Sequence, residues 1–264
     1  MSKSWCCRCR IPTPDEGEIK YVRTKNDKLR KMCDCKCGTH KSTFINQKTA
    51  GALTDDEKQD ANYWSRIAAS VYETPQDRAK YLHEAGINVD TDDVDDSELQ
   101  DDTTAVYRDP KTGKYIFAMR GSADKKDLMA DARIVQGHLE KSGRYKNWDT
   151  KLKQLIDKHG IENIDRAVGH SLAGRAALDL GKKYNLPSES FNTGSAPVDI
   201  PSNVYKKMKC KLYPNEADCA MAKKHHQWIT HLDPIGLSSA ISPYRDRYIY
   251  PRTANPHGIS NWFY

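Results

Sequence analysis

The stretch at 164–184 constrains this chain more than any other. Ile164 to Val168 reads as a short strand, and 171–184, rich in Ala and Leu, reads as a helix. Between them stands Gly169-His170-Ser171-Leu172-Ala173-Gly174. A chain that passes from strand to helix this quickly has to turn sharply, so small residues around Ser171 are a steric need. Gly169 allows the turn, and Ala173 lets the helix approach the neighbouring strand. A Ser on such a turn is held in a strained conformation with its hydroxyl presented, which suits a nucleophile. The N-terminus of the following helix favours negative charge and would help a developing oxyanion. The plainer alternative is a helix-capping Ser after a Gly turn.

The surrounding pattern alternates strand and helix, which predicts an α/β domain. A helix is expected over 54–72. Residues 103–107 and 115–119 flank Asp109-Pro110-Lys111-Thr112-Gly113, a hairpin with a Pro/Gly turn. Trp148, Leu152, Leu155 and Ile156 give a helical spacing over 147–159, with Gly160 as its C-cap. The acidic stretch 90–102 reads as an exposed loop, and 228–232 as a further strand ended by Asp233-Pro234. We divide the chain into a Cys-rich module at 1–45, a connector at 46–59 and an α/β domain at 60–264.

Charge and cysteine both concentrate at the N-terminus. Residues 1–50 hold 12 Lys and Arg against five Asp and Glu, a local balance of +7; the remaining 214 residues carry 30 basic and 31 acidic groups. Such an arm suits an acidic partner, nucleic acid or an anionic lipid surface, or is simply solvated. No apolar run is long enough to span a bilayer, and the first residues lack the apolar core of a secretory signal. An intracellular or virion-associated protein is therefore expected. Six of the eight cysteines (Cys6, Cys7, Cys9, Cys33, Cys35, Cys37) lie in the first 37 residues. Without a signal peptide, clustered cysteines read as metal ligands before disulfides. Cys6 and Cys9 form one Cys-x2-Cys knuckle. The second half pairs Cys33 with Cys37, or Cys35 with Cys37, and His40 is a spare. Four thiolates would make a closed, structural Zn2+ site.

Upstream of the Ser171 turn lies Tyr115-Ile116-Phe117-Ala118-Met119-Arg120-Gly121-Ser122, followed by Asp127-Leu128-Met129-Ala130-Asp131. Downstream come Phe191-Asn192-Thr193-Gly194-Ser195-Ala196-Pro197, Asp233 and Asn255-Pro256-His257-Gly258. In this order the motifs over 60–264 resemble the class 3 lipase family. That family has a strand ending in Arg-Gly-Ser/Thr, a Gly-His-Ser-Leu-Gly-Gly elbow, a Gly-x-Pro strand, an Asp and a late His. Ala173 departs from the family's Gly, and one extra residue precedes Pro197. The resemblance implies an α/β-hydrolase fold with a mostly parallel sheet, and a serine carboxylic-ester hydrolase with no catalytic cofactor. Ser171 would be the nucleophile, His257 the base and Asp233 the orienting acid, in the chain order expected of this fold. The N–H groups of Ser122 and Leu172 would form the oxyanion hole.

The resemblance also implies acylglycerol or phospholipid substrates at a membrane or lipid-droplet surface. It makes the amphipathic segment 125–133, with Leu128 and Met129 on one face, a lid candidate; an ordinary surface helix is the alternative. The N-terminal module resembles a small zinc ribbon of the kind found in large DNA virus proteins, with Thr24-Lys25-Asn26-Asp27 as the turn between its halves. Two other functions fit the residues. One is an inactive hydrolase fold that binds lipid or protein; the other is a nucleic-acid-binding protein acting through the basic arm.

Overall fold

The computed structural model describes residues 3–14, 16–23, 29–44, 53–90, 97–122, 139–193, 224–230, 245–249 and 258–263, with Asp233 and scattered positions between 205 and 219. The chain forms two compact units, Met1–Ala52 and Leu53–Tyr264.

In the first unit, β1 (Lys3–Cys6) and β2 (Ile11–Pro14) form one antiparallel hairpin. Strands β3 (Glu16–Arg23), β4 (Leu29–Asp34) and β5 (His40–Phe44) form an antiparallel sheet in that order. The turn expected at 24–27 lies outside the described residues. Two tight turns close the strands: Arg10 N–H bonds Cys6 O at 2.8 Å, and Gly38 N–H bonds Cys35 O at 2.7 Å. Both closing residues are left-handed, Gly38 at φ 77° and Arg10 at φ 53°. Gly takes this conformation freely, and Arg10 takes it at some cost.

The second unit begins at Leu53, which is buried, so the first turn of α1 (Asp55–Ser70) belongs to it. Thr54 starts that helix with a reciprocal cap: its hydroxyl accepts from Glu57 N–H, and the Glu57 carboxylate accepts from Thr54 N–H. A short α2 (Arg78–Glu84) follows. Strands β6 (Thr104–Arg108) and β7 (Tyr115–Met119) pair as the expected hairpin. Helix α3 (Gly143–His159) starts four residues earlier than its apolar spacing indicates, because the Ser142 hydroxyl caps Tyr145 N–H. Strand β8 (Ile164–His170) leads into α4 (Leu172–Tyr184), and then come β9 (Ser188–Phe191), β10 (His225–Thr230) and β11 (Arg245–Ile249).

The six strands described in this unit form one sheet in sequential order, β6 to β11. Strands β7 to β11 are parallel and β6 is antiparallel at one edge. Strand alternation sends the side chains to two faces. Val106, Phe117, Met119 and Ala167 pack with Trp148, Leu152 and Leu155 of α3 and Ala176, Ala177 and Leu180 of α4. Ala105, Tyr107, Ile116, Ala118, Val168, Phe191 and Trp228 pack with Ala61, Trp64, Ile67 and Ala68 of α1 and with Trp262. Burying a side chain of the size of Phe117 is worth about 1.5–3 kcal/mol. The result is a three-layer α/β architecture.

The acidic stretch departs from expectation. Leu99 is buried in the core, and Asp101 binds the Lys151 ammonium at 2.7 Å and accepts from Thr103 and Thr104. Its last residues are therefore structural rather than an exposed loop, because Asp101 caps the turn into β6. The expected strand 228–232 is displaced to His225–Thr230, with polar His225 and Gln227 buried alongside Trp228 and Ile229.

Candidate functional site

In a parallel sheet the loops after each strand emerge on one edge, and that edge is where open α/β sheets place their sites. Gly121 and Ser122 follow β7, Ser171 follows β8, Asn192 and Thr193 follow β9, and Asp233 lies three residues beyond β10. Hydrogen bonds link them in series. Ser171 N–H donates to Phe191 O at 2.9 Å, Asn192 N–H to Trp228 O at 2.8 Å, Thr230 N–H to Asn192 Oδ1 at 2.8 Å, and Asp233 N–H to Thr230 O at 3.2 Å.

Ser171 sits at φ 59°, ψ −123°, a backbone region that disfavours residues with a Cβ. It occupies the N-cap position of α4 yet makes no side-chain capping bond there, so the plain capping role is not the one it plays. Ser171 is buried, 3 % exposed as a residue. The glycines explain how the turn is built. A Cβ on Gly169 would stand 2.3 Å from Ala173 O, and one on Gly174 would stand 2.4 Å from Thr193 Oγ1 and 3.4 Å from Phe191 O. Gly174, not residue 173, makes the close approach to β9. Ala173 is fully buried among the α3 and α4 core residues, so its methyl is accommodated and the turn forms with Ala there.

The loop after β7 lies directly on this turn. A Cβ on Gly121 would stand 2.4 Å from His170 O and 3.3 Å from Ser171 Cβ. Leu172 opens α4, and the first N–H groups of a helix have no partner within it. The Gly121-Ser122 loop thus lies beside Ser171 at the start of α4. Asp233 is fully buried at the same edge. His257 and the Leu128 and Met129 segment lie outside the described residues.

Sequence reasoning did not single out Tyr72. It follows α1, and its hydroxyl meets His170 Nδ1 at 3.0 Å. Burial pushes its phenol well above the usual range, while the Arg120 charge and a hydrogen bond from Gly121 N–H pull the other way. The Tyr72 hydroxyl accepts from Gly121 N–H and is also hydrogen-bonded to His170 Nδ1. It thereby ties the β7 loop to the β8 turn. Also unforeseen is the bond between Cys210 and Cys219, nine residues apart, whose pairing the sequence does not signal.

The first unit holds a second candidate site. The Sγ atoms of Cys6, Cys9, Cys35 and Cys37 all lie within 4.8 Å of one another, and this group could hold a metal ion. The Cys6–Cys37 and Cys9–Cys35 sulfurs are 3.6 and 3.8 Å apart. Four thiolates at the typical zinc–sulfur distance of about 2.3 Å would stand about 3.8 Å from one another. The group takes in Cys35 rather than Cys33, the second of the two pairings that the spacing left open. Cys33 lies within β4 opposite Lys41, whereas Cys35 and Cys37 belong to the turn that Gly38 closes. His40 is outside the group and pairs with Asp34. Hydrogen bonding with Thr39 lowers the Cys37 thiol to about 6, and hydrogen bonds with the neighbouring Cys37 and Cys6 sulfurs push Cys9 up to about 12. Crowded sulfurs share negative charge poorly, and a cation removes that conflict.

Comparison with protein-family models, curated proteins and solved structures finds no match.

Proposed function

We propose that the second unit is a serine carboxylic-ester hydrolase, a lipase or phospholipase of the class 3 type on an α/β-hydrolase fold. The observation that carries this reading is the backbone of Ser171. It is a Cβ-bearing residue strained to φ 59° between β8 and α4, with the Gly121 loop packed on it and Asp233 buried at the same sheet edge. Strain of this kind persists only where the surroundings enforce it, and it concentrates at functional sites.

In this reading Ser171 Oγ attacks the ester carbonyl carbon while His257 takes its proton. Asp233 orients the imidazole and stabilises the imidazolium. The tetrahedral oxyanion rests on the N–H groups of Ser122 and Leu172, each such donor worth about 3 kcal/mol in the transition state. The protonated His257 then gives its proton to the departing alcohol, and water releases the acyl group by the reverse steps. Acylglycerols and phospholipids are the substrates, and the segment 125–133 acts as the lid. Among the described residues no helix is long and apolar enough to cross a membrane.

The first unit is a structural zinc module with Cys6, Cys9, Cys35 and Cys37 as ligands. The metal supplies folding energy to a segment with little core of its own, and four thiolates leave no open position for catalysis.

The test is a fluorophosphonate labelling and lipid-hydrolysis panel with wild type and Ser171→Ala. Labelling and release of fatty acid only in wild type are expected. Equal hydrolysis by both would refute the assignment, and a wild type inert in both assays would favour an inactive fold that binds lipid or protein.

A further inference from the structure

Strand β9 ends at Phe191, in register with Trp228 of β10. In a parallel ladder the next residue donates its N–H to one β10 carbonyl, and its own carbonyl accepts from the N–H two residues further along β10. Asn192 makes the first of these bonds in the ordinary way, its N–H donating to Trp228 O at 2.8 Å. The second is made by its side chain: Oδ1 accepts from Thr230 N–H at 2.8 Å. The backbone of Asn192 meanwhile stands at φ 48°, in the left-handed region. Asn is one of the few residues with a side chain that enters this region readily. The amide thus prolongs the ladder by one bond at a point where the backbone has left it, and the residue is fully buried.

These bonds join the two groups that the chemistry needs. Phe191 C=O and Asn192 N–H belong to one planar peptide unit. Its oxygen accepts from Ser171 N–H at 2.9 Å, and its N–H reaches Trp228, so a single rigid unit spans from the nucleophile turn to β10. The Asn192 amide then holds Thr230 N–H, and Thr230 O accepts from Asp233 N–H at 3.2 Å. A strand end does not need a left-handed, buried residue to satisfy one N–H; the backbone carbonyl of an extended residue does so without strain. Giving up that simpler bond lets the chain turn so that Thr193 lies against Gly174 of α4, while the strand that leads to Asp233 stays tied.

We propose that Asn192 is a positioning residue, which fixes Asp233 relative to Ser171 through its side-chain amide and the Phe191–Asn192 peptide. The inference rests on the hydrolase reading and deepens it: Asn192 acts through Asp233 on the imidazole of His257. The alternative is a strand-end cap that stabilises the fold and leaves the chemistry alone.

The experiment measures hydrolysis of p-nitrophenyl butyrate by the full chain, with active sites counted by complete fluorophosphonate labelling so that only folded enzyme enters kcat. Asn192→Gly keeps the left-handed backbone and deletes the acceptor. It should lower kcat by at least about tenfold, because a small misplacement of a catalytic group is costly. KM should stay within about twofold, since no contact with the substrate is removed. The acid limb of kcat/KM should move to lower pH, because a carboxylate facing an imidazolium raises its pKa and a loosened Asp233 raises it less. A strand-end cap alone would reduce the number of labelled sites and leave kcat per site and the acid limb where they are; that result overturns the inference. Asn192→Asp retains an acceptor oxygen and tolerates the same backbone, so it should restore most of kcat and the parent's acid limb. If the Gly variant does not fold, the Asp variant carries the test, and loss of kcat in it with an unmoved acid limb overturns the inference. Parent-like kcat in Asn192→Gly sinks the inference and leaves the hydrolase reading standing, whereas a parent with neither labelling nor turnover sinks both.

Discussion

Replacing Ser171 by Gly should make the second unit more stable while abolishing its chemistry. At φ 59°, ψ −123° the serine is held outside the comfortable backbone regions of L-residues. Conformations of this sort cost about 1–3 kcal/mol, and a position this far from the allowed regions belongs in the upper half of that range. Gly relieves the strain but adds about 0.5–1 kcal/mol of unfolded-state entropy. It also forfeits about 0.8 kcal/mol from burial of one carbon. The net is about 1 kcal/mol in favour of Gly. The proper reference is Ser171→Ala, which loses the same hydroxyl but keeps the Cβ and hence the strain. For a domain of this size that difference raises the melting temperature by about 2–4 °C. Thermal unfolding followed by circular dichroism on both variants, side by side, measures it. A Gly variant that melts at or below the Ala variant would show that Ser171 is not strained, and the main support for its nucleophilic role would fall.

Four further outcomes are expected. Tyr72→Phe removes the hydroxyl shared by His170 and Gly121; an unpaired buried partner costs about 1–3 kcal/mol, so ester turnover should drop roughly tenfold or more while the fold persists. Gly169→Ala forces a Cβ to within 2.3 Å of Ala173 O, which is backbone and cannot swing aside, and should cost about 3 kcal/mol or more in denaturant unfolding. Bound zinc, assayed by chelator-released colour, should vanish in Cys35→Ser and survive in Cys33→Ser. His225 is buried against Ser188, and burial lowers its pKa from 6.5 to about 4. Between those values the unfolded chain binds the proton and the folded one does not. Stability is therefore fully present above pH 6.5 and declines toward pH 4, with a slope of at most about 1.4 kcal/mol per pH unit from this group; His225→Gln should flatten that slope in urea titrations.

Much of the Ser171 surroundings is legible along the chain because the signals are local. The strand–Gly–Ser–helix order follows from apolar alternation and small residues, and the hairpin at Asp109–Gly113 follows from turn chemistry. Strand β11 is harder to read, since Arg245, Asp246 and Arg247 at a sheet edge do not look like buried strand residues. Tyr72 and His170 are 98 residues apart, and no local pattern links them.

The sequence by itself determined that the cysteines and the basic excess cluster at the N-terminus, and that a serine stands where a strand gives way to a helix. These are properties of neighbours, set by composition and period. Which cysteines converge and which glycine lets α4 approach β9 were decided by the tertiary structure. Cys33 is kept from the cluster because β4 pairs it with Lys41, while the turn closed at Gly38 brings Cys35 and Cys37 together. Gly174 takes the close contact because Thr193 and Phe191 arrive beside it from another strand. Both outcomes rest on non-local packing, where a side chain's role depends on what the fold brings against it.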